Sequence, residues 1–93
     1  MATYQTCRDA VLLAAWSLTG GTTDRTFGVD DVVAWVGSRC PSFKASTVRT
    51  HVTSRMCRNA PDHHGTTYDD LERVARGEYR LTDEGRSVAL RLI

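Results

Sequence analysis

Residues 32–61 read VVAWVGSRCPSFKASTVRTHVTSRMCRNAP, and the order of elements in this stretch decides the fold. It contains no Asp or Glu, yet it carries Arg39, Lys44, Arg49, Arg55 and Arg58, together with His51. Its first part continues a pattern that starts at Val29. Val29, Val32, Val33, Val36 and Cys40 recur at i, i+3, i+4 and i+7, which predicts a helix with one apolar face. Asp30 and Asp31 fall in its first turn, where the helix dipole favours carboxylates, and Pro41 stops it. Residues 41–45 make a tight connection with Phe43 plugging the core. Ser46 is the predicted N-cap of a third helix of about eleven residues. Val48, Val52 and Met56 mark its buried side. Ser46, Thr47, Thr50, Thr53, Ser54 and Cys57 form the opposite side, flanked by Arg49 on one edge and by His51 and Arg58 on the other.

Outward from this helix pair, residues 4–18 predict a first helix, with Val11, Leu12, Ala15, Trp16 and Leu18 as its broad apolar face and Thr19-Gly20-Gly21 as its stop. Thr26-Phe27 is long enough only for a very short strand. Residues 59–67 are an irregular loop. The period then changes: 71–74 and 78–81 predict two strands around Ala75-Arg76-Gly77, with Gly77 at the left-handed position of the turn. Asp69, Asp70 and Glu72 read as exposed acids at the strand entry. Thr82-Asp83-Glu84 is a cap with acidic first-turn residues, opening a last helix with Val88, Leu90, Leu92 and Ile93 apolar.

Ninety-three residues with 41% hydrophobic and 25% charged side chains describe one ordinary globular domain, 1–93. The formal charge is only +1, so the basic residues of 32–61 are segregated rather than numerous. No apolar run approaches a membrane span, and the N-terminus lacks the charged-then-apolar order of a signal peptide. Cys7, Cys40 and Cys57 are odd in number and widely spaced, which predicts reduced thiols and a cytoplasmic location. Eleven of the twelve basic residues are Arg, a usage that a GC-rich coding genome explains as well as phosphate recognition does.

Helix, short strand, helix, turn, helix, hairpin, helix is the order of a winged helix-turn-helix domain, an α+β fold that is mainly α with a small β-hairpin. The helix-turn-helix covers about 29–58, the wing about 71–82 and the closing helix about 83–93. Tyr79-Arg80-Leu81-Thr82-Asp83-Glu84-Gly85-Arg86 resembles the Tyr-x-Leu-Thr-x-x-Gly ending common to many bacterial winged-helix proteins. Ser46-Thr47-Val48-Arg49 resembles the start of a recognition helix in that family. The strings Arg49 to Cys57, Asn59 to His64 and Arg76 to Leu81 are also similar to small bacterial winged-helix modules, some of them joined to restriction-type nucleases.

The resemblance implies work on double-stranded DNA, with the third helix in the major groove. Arg49 is long enough to fork onto guanine, and Thr47, Thr50 and Thr53 can hydrogen-bond base edges or pack against a thymine methyl. Ser46 and the free N–H groups of the helix start suit a phosphate. Lys44, Arg55, Arg58 and Arg76 are the expected backbone contacts, which position without specifying, and Arg73 is a weaker wing candidate. Arg55 lies near enough to the buried side to act instead as a snorkelling structural residue. Asp69, Asp70, Glu72 and Glu78 oppose a hairpin wrapped fully by DNA. A symmetric homodimer on a repeated half-site is compatible with one short reading head, with helix one or Leu90, Leu92 and Ile93 at its surface.

No cofactor and no catalytic set are expected, because nothing resembles a nucleophile-base-orienter group or a phosphate-cradling glycine loop. His63-His64 with Cys57 matches no zinc spacing. The alternative is a winged helix that docks proteins, which the near-neutral charge and an exposed Trp16 or Trp35 would suit, Trp35 flanking the apolar face of its helix.

Overall fold

The computed structural model describes residues 6–60 and 68–93. In chain order the elements are α1 (Cys7–Thr19), β1 (Phe27–Gly28), α2 (Val29–Arg39), α3 (Ala45–Thr50), a π-helical turn (His51–Arg55), β2 (Leu71–Ala75), β3 (Glu78–Leu81) and α4 (Asp83–Leu92). The three strands form one antiparallel sheet in the order β1-β3-β2. The chain is therefore α+β, helices on a small sheet, in the order expected for a winged helix-turn-helix.

The core is the place where the apolar faces meet. Val11, Leu12, Val32, Val36, Val48, Val52, Met56, Leu71 and Leu81 are all essentially inaccessible. Each such side chain contributes about 1.5–3 kcal/mol relative to exposure, which is why a short chain spends nearly all of its large aliphatics here. Phe43 and Trp35 pack against this cluster from its margin, half-buried, and the Arg39 guanidinium lies 4.2 Å from the Trp35 ring centre.

Four local expectations are corrected. Helix α1 begins at Cys7, not at residue 4, because the Thr6 hydroxyl accepts the Asp9 N–H (3.1 Å) and fixes the start. Ser46 is not the N-cap of the third helix: Lys44 holds that position in extended conformation, with no side-chain cap bond, and Ser46 lies inside the first turn. Cys57 does not face outward. The Met56 N–H donates to the His51 carbonyl (2.9 Å), the wide i to i−5 closure of a π turn, and the helix ends there. Cys57 thus lies beyond the helix, fully buried in a parallel bridge to Leu71, so helical face arithmetic no longer applies to it.

Asp70 is the fourth. It is not an exposed acid but is 1% accessible, and its carboxylate accepts from Arg8 Nε (2.8 Å) and Nη2 (3.0 Å). The same guanidinium sits 3.7 Å from the Tyr68 ring centre. Residues 56–60 then run along β2. Arg58 N–H donates to the Leu71 carbonyl (2.9 Å), while Asn59 accepts the Arg73 N–H (2.9 Å) and donates to the Arg73 carbonyl (3.0 Å). The Asn59 side chain thereby occupies hydrogen-bonding groups that would otherwise leave this edge open.

The three cysteines are free thiols and buried, and burial, with Cys40 nearby, pushes the Cys7 thiol up. Among the described residues no helix is long and apolar enough to cross a membrane.

Candidate nucleic-acid interface

The wing is a tight hairpin with one irregularity. Arg73 pairs with Tyr79 and Ala75 with Glu78, so Val74 is an extra residue bulged between them, 44% exposed. Gly77 takes φ 75° in the turn, a conformation that costs a side-chain-bearing residue. The tip is also tied down: the Val29 N–H donates to the Gly77 carbonyl (3.0 Å), and Gly28 pairs with Glu78. The hairpin therefore stands at the start of α2, beside the helix that follows it.

Between wing and helix lies a groove of about 430 Å³. Thr53 and Ser54 line it from the helix, Arg73, Arg76 and Gly77 from the wing, and Val29 and Tyr79 complete it. Burial raises the Tyr79 phenol above its ordinary value of 10.0, so it stays a neutral donor and acceptor. A second, shallower depression of about 280 Å³ runs over the outer face of the helix, lined by Ser46, Thr47, Thr50, His51 and Arg55. The two hollows are lined by different residues of one helical segment, Thr53 and Ser54 on the wing side and Ser46, Thr47, Thr50, His51 and Arg55 on the outer side.

The predicted residues fall on that surface in different states. Ser46, Thr47, Arg49 and Thr50 are exposed and Thr53 is half-buried. The Thr50 hydroxyl donates to the Ser46 carbonyl (2.9 Å) and that of Thr53 to the Arg49 carbonyl (2.9 Å). With their protons turned back, these threonines present a methyl group and acceptor lone pairs outward. Arg49 is not free: its Nη2 lies 2.6 Å from Asp30 Oδ1, an ion pair between the last turn of α3 and the first turn of α2. Lys44, Arg55 and Arg76 are exposed and, among the described residues, make no ion pair, and the same holds for Arg73.

Arg58 is drawn elsewhere. Its Nε (3.3 Å) and Nη2 (2.7 Å) donate to one oxygen of Glu72, while Arg80 Nε (2.6 Å) donates to the other. Glu72 is thus neutralised and Asp70 is buried, so two of the four acids expected to repel DNA from the wing are internally paired.

The Arg58 and Arg80 guanidiniums hold the Glu72 carboxyl below its ordinary value of 4.5. A lowered folded pKa makes the contribution of Glu72 fully present above that value and lost as pH falls through the lowered one. Glu72→Gln should therefore lower Tm at neutral pH, with the difference from the parent shrinking steadily in acid. Thermal melts at several pH values, read as the gap between the two proteins, check this.

Sequence reasoning passed over Asp30 as a partner of Arg49 and Ser54 as a groove residue, and Arg73, the weaker wing candidate, lines the groove beside Arg76. Cys57 is buried with its thiol 3.2 Å from Asn59 Oδ1, while His63 and His64, weighed with it as metal ligands, lie outside the described residues. Among the described residues, no group of three or more His, Cys, Asp or Glu could hold a metal ion.

No curated protein and no solved structure matches the chain. Residues 7–81 match the family described as a domain of unknown function, DUF7669, and the chain belongs to that family.

Proposed function

We propose that this chain is a winged-helix module that binds double-stranded DNA and has no catalytic activity of its own, serving as a transcription regulator or a DNA-recognition accessory. The observation that carries the reading is the groove between helix and wing. The π-helical turn that continues α3 and the wing meet in a groove whose charged lining, Arg73 and Arg76, makes no ion pair among the described residues. The face of α3 and of the π-helical turn that continues it, with Ser46, Thr47, Arg49, Thr50 and Thr53, reads base edges in the major groove. Lys44, Arg55, Arg73 and Arg76 neutralise phosphates on either side. Arg58 is left out of that set, because two of its N–H groups are committed to Glu72. Leu90 and Ile93, 48% and 69% exposed, are available for a symmetric dimer.

The test is a fluorescence-anisotropy titration on mixed-sequence duplex DNA. About four phosphate contacts give a slope of about −3.6 in log K against log salt, or roughly a hundredfold loss between about 50 and about 200 mM salt. Arg73→Ala with Arg76→Ala should flatten that slope to about half. No binding at the lowest salt would discard the reading in favour of a protein-docking module.

A further inference from the structure

We infer that Asp30 is a positioning residue for DNA sequence discrimination: it holds the Arg49 guanidinium in the orientation from which it meets a base. The inference rests on the DNA-binding reading above and deepens it.

Asp30 and Asp31 are adjacent acids with separate tasks. Asp31 turns back to accept the Gly28 N–H (3.3 Å), an ordinary start for α2. Asp30 instead reaches across to α3, to a residue nineteen positions away. The pair does little for folding, since Asp30 is 83% and Arg49 49% exposed at the side chain, and exposed ion pairs add little stability. Its effect is conformational. A free Arg samples many rotamers and must give up that freedom on binding. One carboxylate oxygen on Nη2 removes much of this freedom beforehand. The Asp30 contact takes one N–H of Nη2, which leaves the other N–H of Nη2 beside those of Nη1 as a fork for the two acceptors of guanine.

The position of the pair supports this. Val29, next to Asp30, is fixed to the wing tip through the Gly77 carbonyl, and Arg49 leaves the helix one turn before Thr53, which lines the groove. Asp30 is therefore attached to the scaffold on which both halves of the surface stand. Asp30 also meets the dipole at the start of α2, but towards DNA a carboxylate that did not hold Arg49 would only weaken phosphate binding by repulsion.

That contrast sets the experiment. A preferred duplex is first selected from a random pool by the parent protein, then Asp30→Ala, Asp30→Glu, Arg49→Ala and the double variant are titrated on the preferred and on a scrambled duplex. Asp30→Ala should bind scrambled DNA as well or a few-fold better, because one negative charge is gone. It should bind the preferred duplex more weakly, so that discrimination falls roughly tenfold, the scale of one well-placed bidentate contact. In the Arg49→Ala background the same change should leave discrimination unaltered, and Asp30→Glu should restore part of it. An equal gain on both duplexes would overturn the inference and make Asp30 a mere electrostatic opponent. DNA binding without any preferred sequence would overturn it too while leaving DNA binding intact, whereas no binding by the parent would remove the underlying reading itself.

Discussion

Gly85→Ala should destabilise the domain by about 3 kcal/mol, a fall of roughly 12–24 °C in Tm for a domain of this size. Gly85 lies in the first turn of α4, where Ala is intrinsically better than Gly by about 1 kcal/mol, so propensity alone predicts the opposite sign. Space decides the outcome. A Cβ there would stand 2.0 Å from the Asp70 carbonyl oxygen, 2.8 Å from its carbon and 2.9 Å from its Cα. These are backbone atoms and cannot turn aside as a side-chain tip would. They are also engaged: the Asp70 carbonyl accepts the Thr82 N–H (3.0 Å), and the Thr82 hydroxyl accepts the Gly85 N–H (3.0 Å) while donating to the Asp69 carbonyl. Moving α4 away to make room would break the cap that starts it. Gly37→Ala is the matched control. Gly37 is an exposed position inside α2, with nothing within 4 Å of a new Cβ, and there the same substitution should stabilise by about 1 kcal/mol. Urea titrations of the two variants should therefore move in opposite directions, and a neutral Gly85→Ala would show that the close approach of α4 to residue 70 does not constrain the fold.

This contrast also explains what the sequence could reveal. Helix α2, the strand pair, the turn at Gly77 and the Thr82 cap were all legible, because each is signalled within a few residues: an i, i+3, i+4, i+7 repeat, a change to period two, a cap three residues before its donor. The role of Gly85 sits in the same Thr-x-x-Gly string, yet its reason is tertiary, the backbone of residue 70. The π closure at Met56 has no local signature, since Val52 and Met56 stay buried in either helix type. Only the position of Cys57 betrays it, and that depends on the bridge to Leu71. Asp30 and Arg49 were each noticed, one as a first-turn acid and the other as a reading residue. Their pairing, from the start of α2 to the end of α3, is a product of how the two helices cross, which no spacing encodes. The candidate surface was therefore legible as a set of residue types on one helix face, while its electrostatic state was not: which cations are free and which are held is settled by acids distant in sequence.

Asp70 gives the sharpest example of that rule and the second large effect. Read along the chain it is one of a run of acids, Asp69, Asp70 and Glu72, at the mouth of the wing. In the fold it is a buried carboxylate, its side chain 2% exposed, joined by two hydrogen bonds to an Arg8 side chain that is 27% exposed. The two partners are unequal, so removing either should have unequal consequences. Arg8→Ala leaves a buried carboxylate without its partner, and losing one member of a buried pair costs about 3–5 kcal/mol. Asp70→Ala leaves a guanidinium that is already partly solvated and can swing outward from beneath the Tyr68 ring, so its cost should be smaller, about 2 kcal/mol. Replacing both, as Arg8→Met with Asp70→Leu, should recover most of the loss, because the apolar pair needs no hydrogen bonds. Chemical denaturation of the three variants gives the order directly, and an Asp70→Ala protein less stable than Arg8→Ala would refute the asymmetry. The order also bears on function. Asp70 enters β2, and its backbone holds Thr82 and lies against Gly85, so this one residue sets the angle between wing, α1 and α4. Arg8 lies on α1, outside the groove, and touches none of the proposed DNA contacts. Under conditions where Arg8→Ala is still folded, a loss of DNA affinity larger than the removal of one positive charge accounts for points to a wing that no longer holds Arg73 and Arg76 opposite the reading helix.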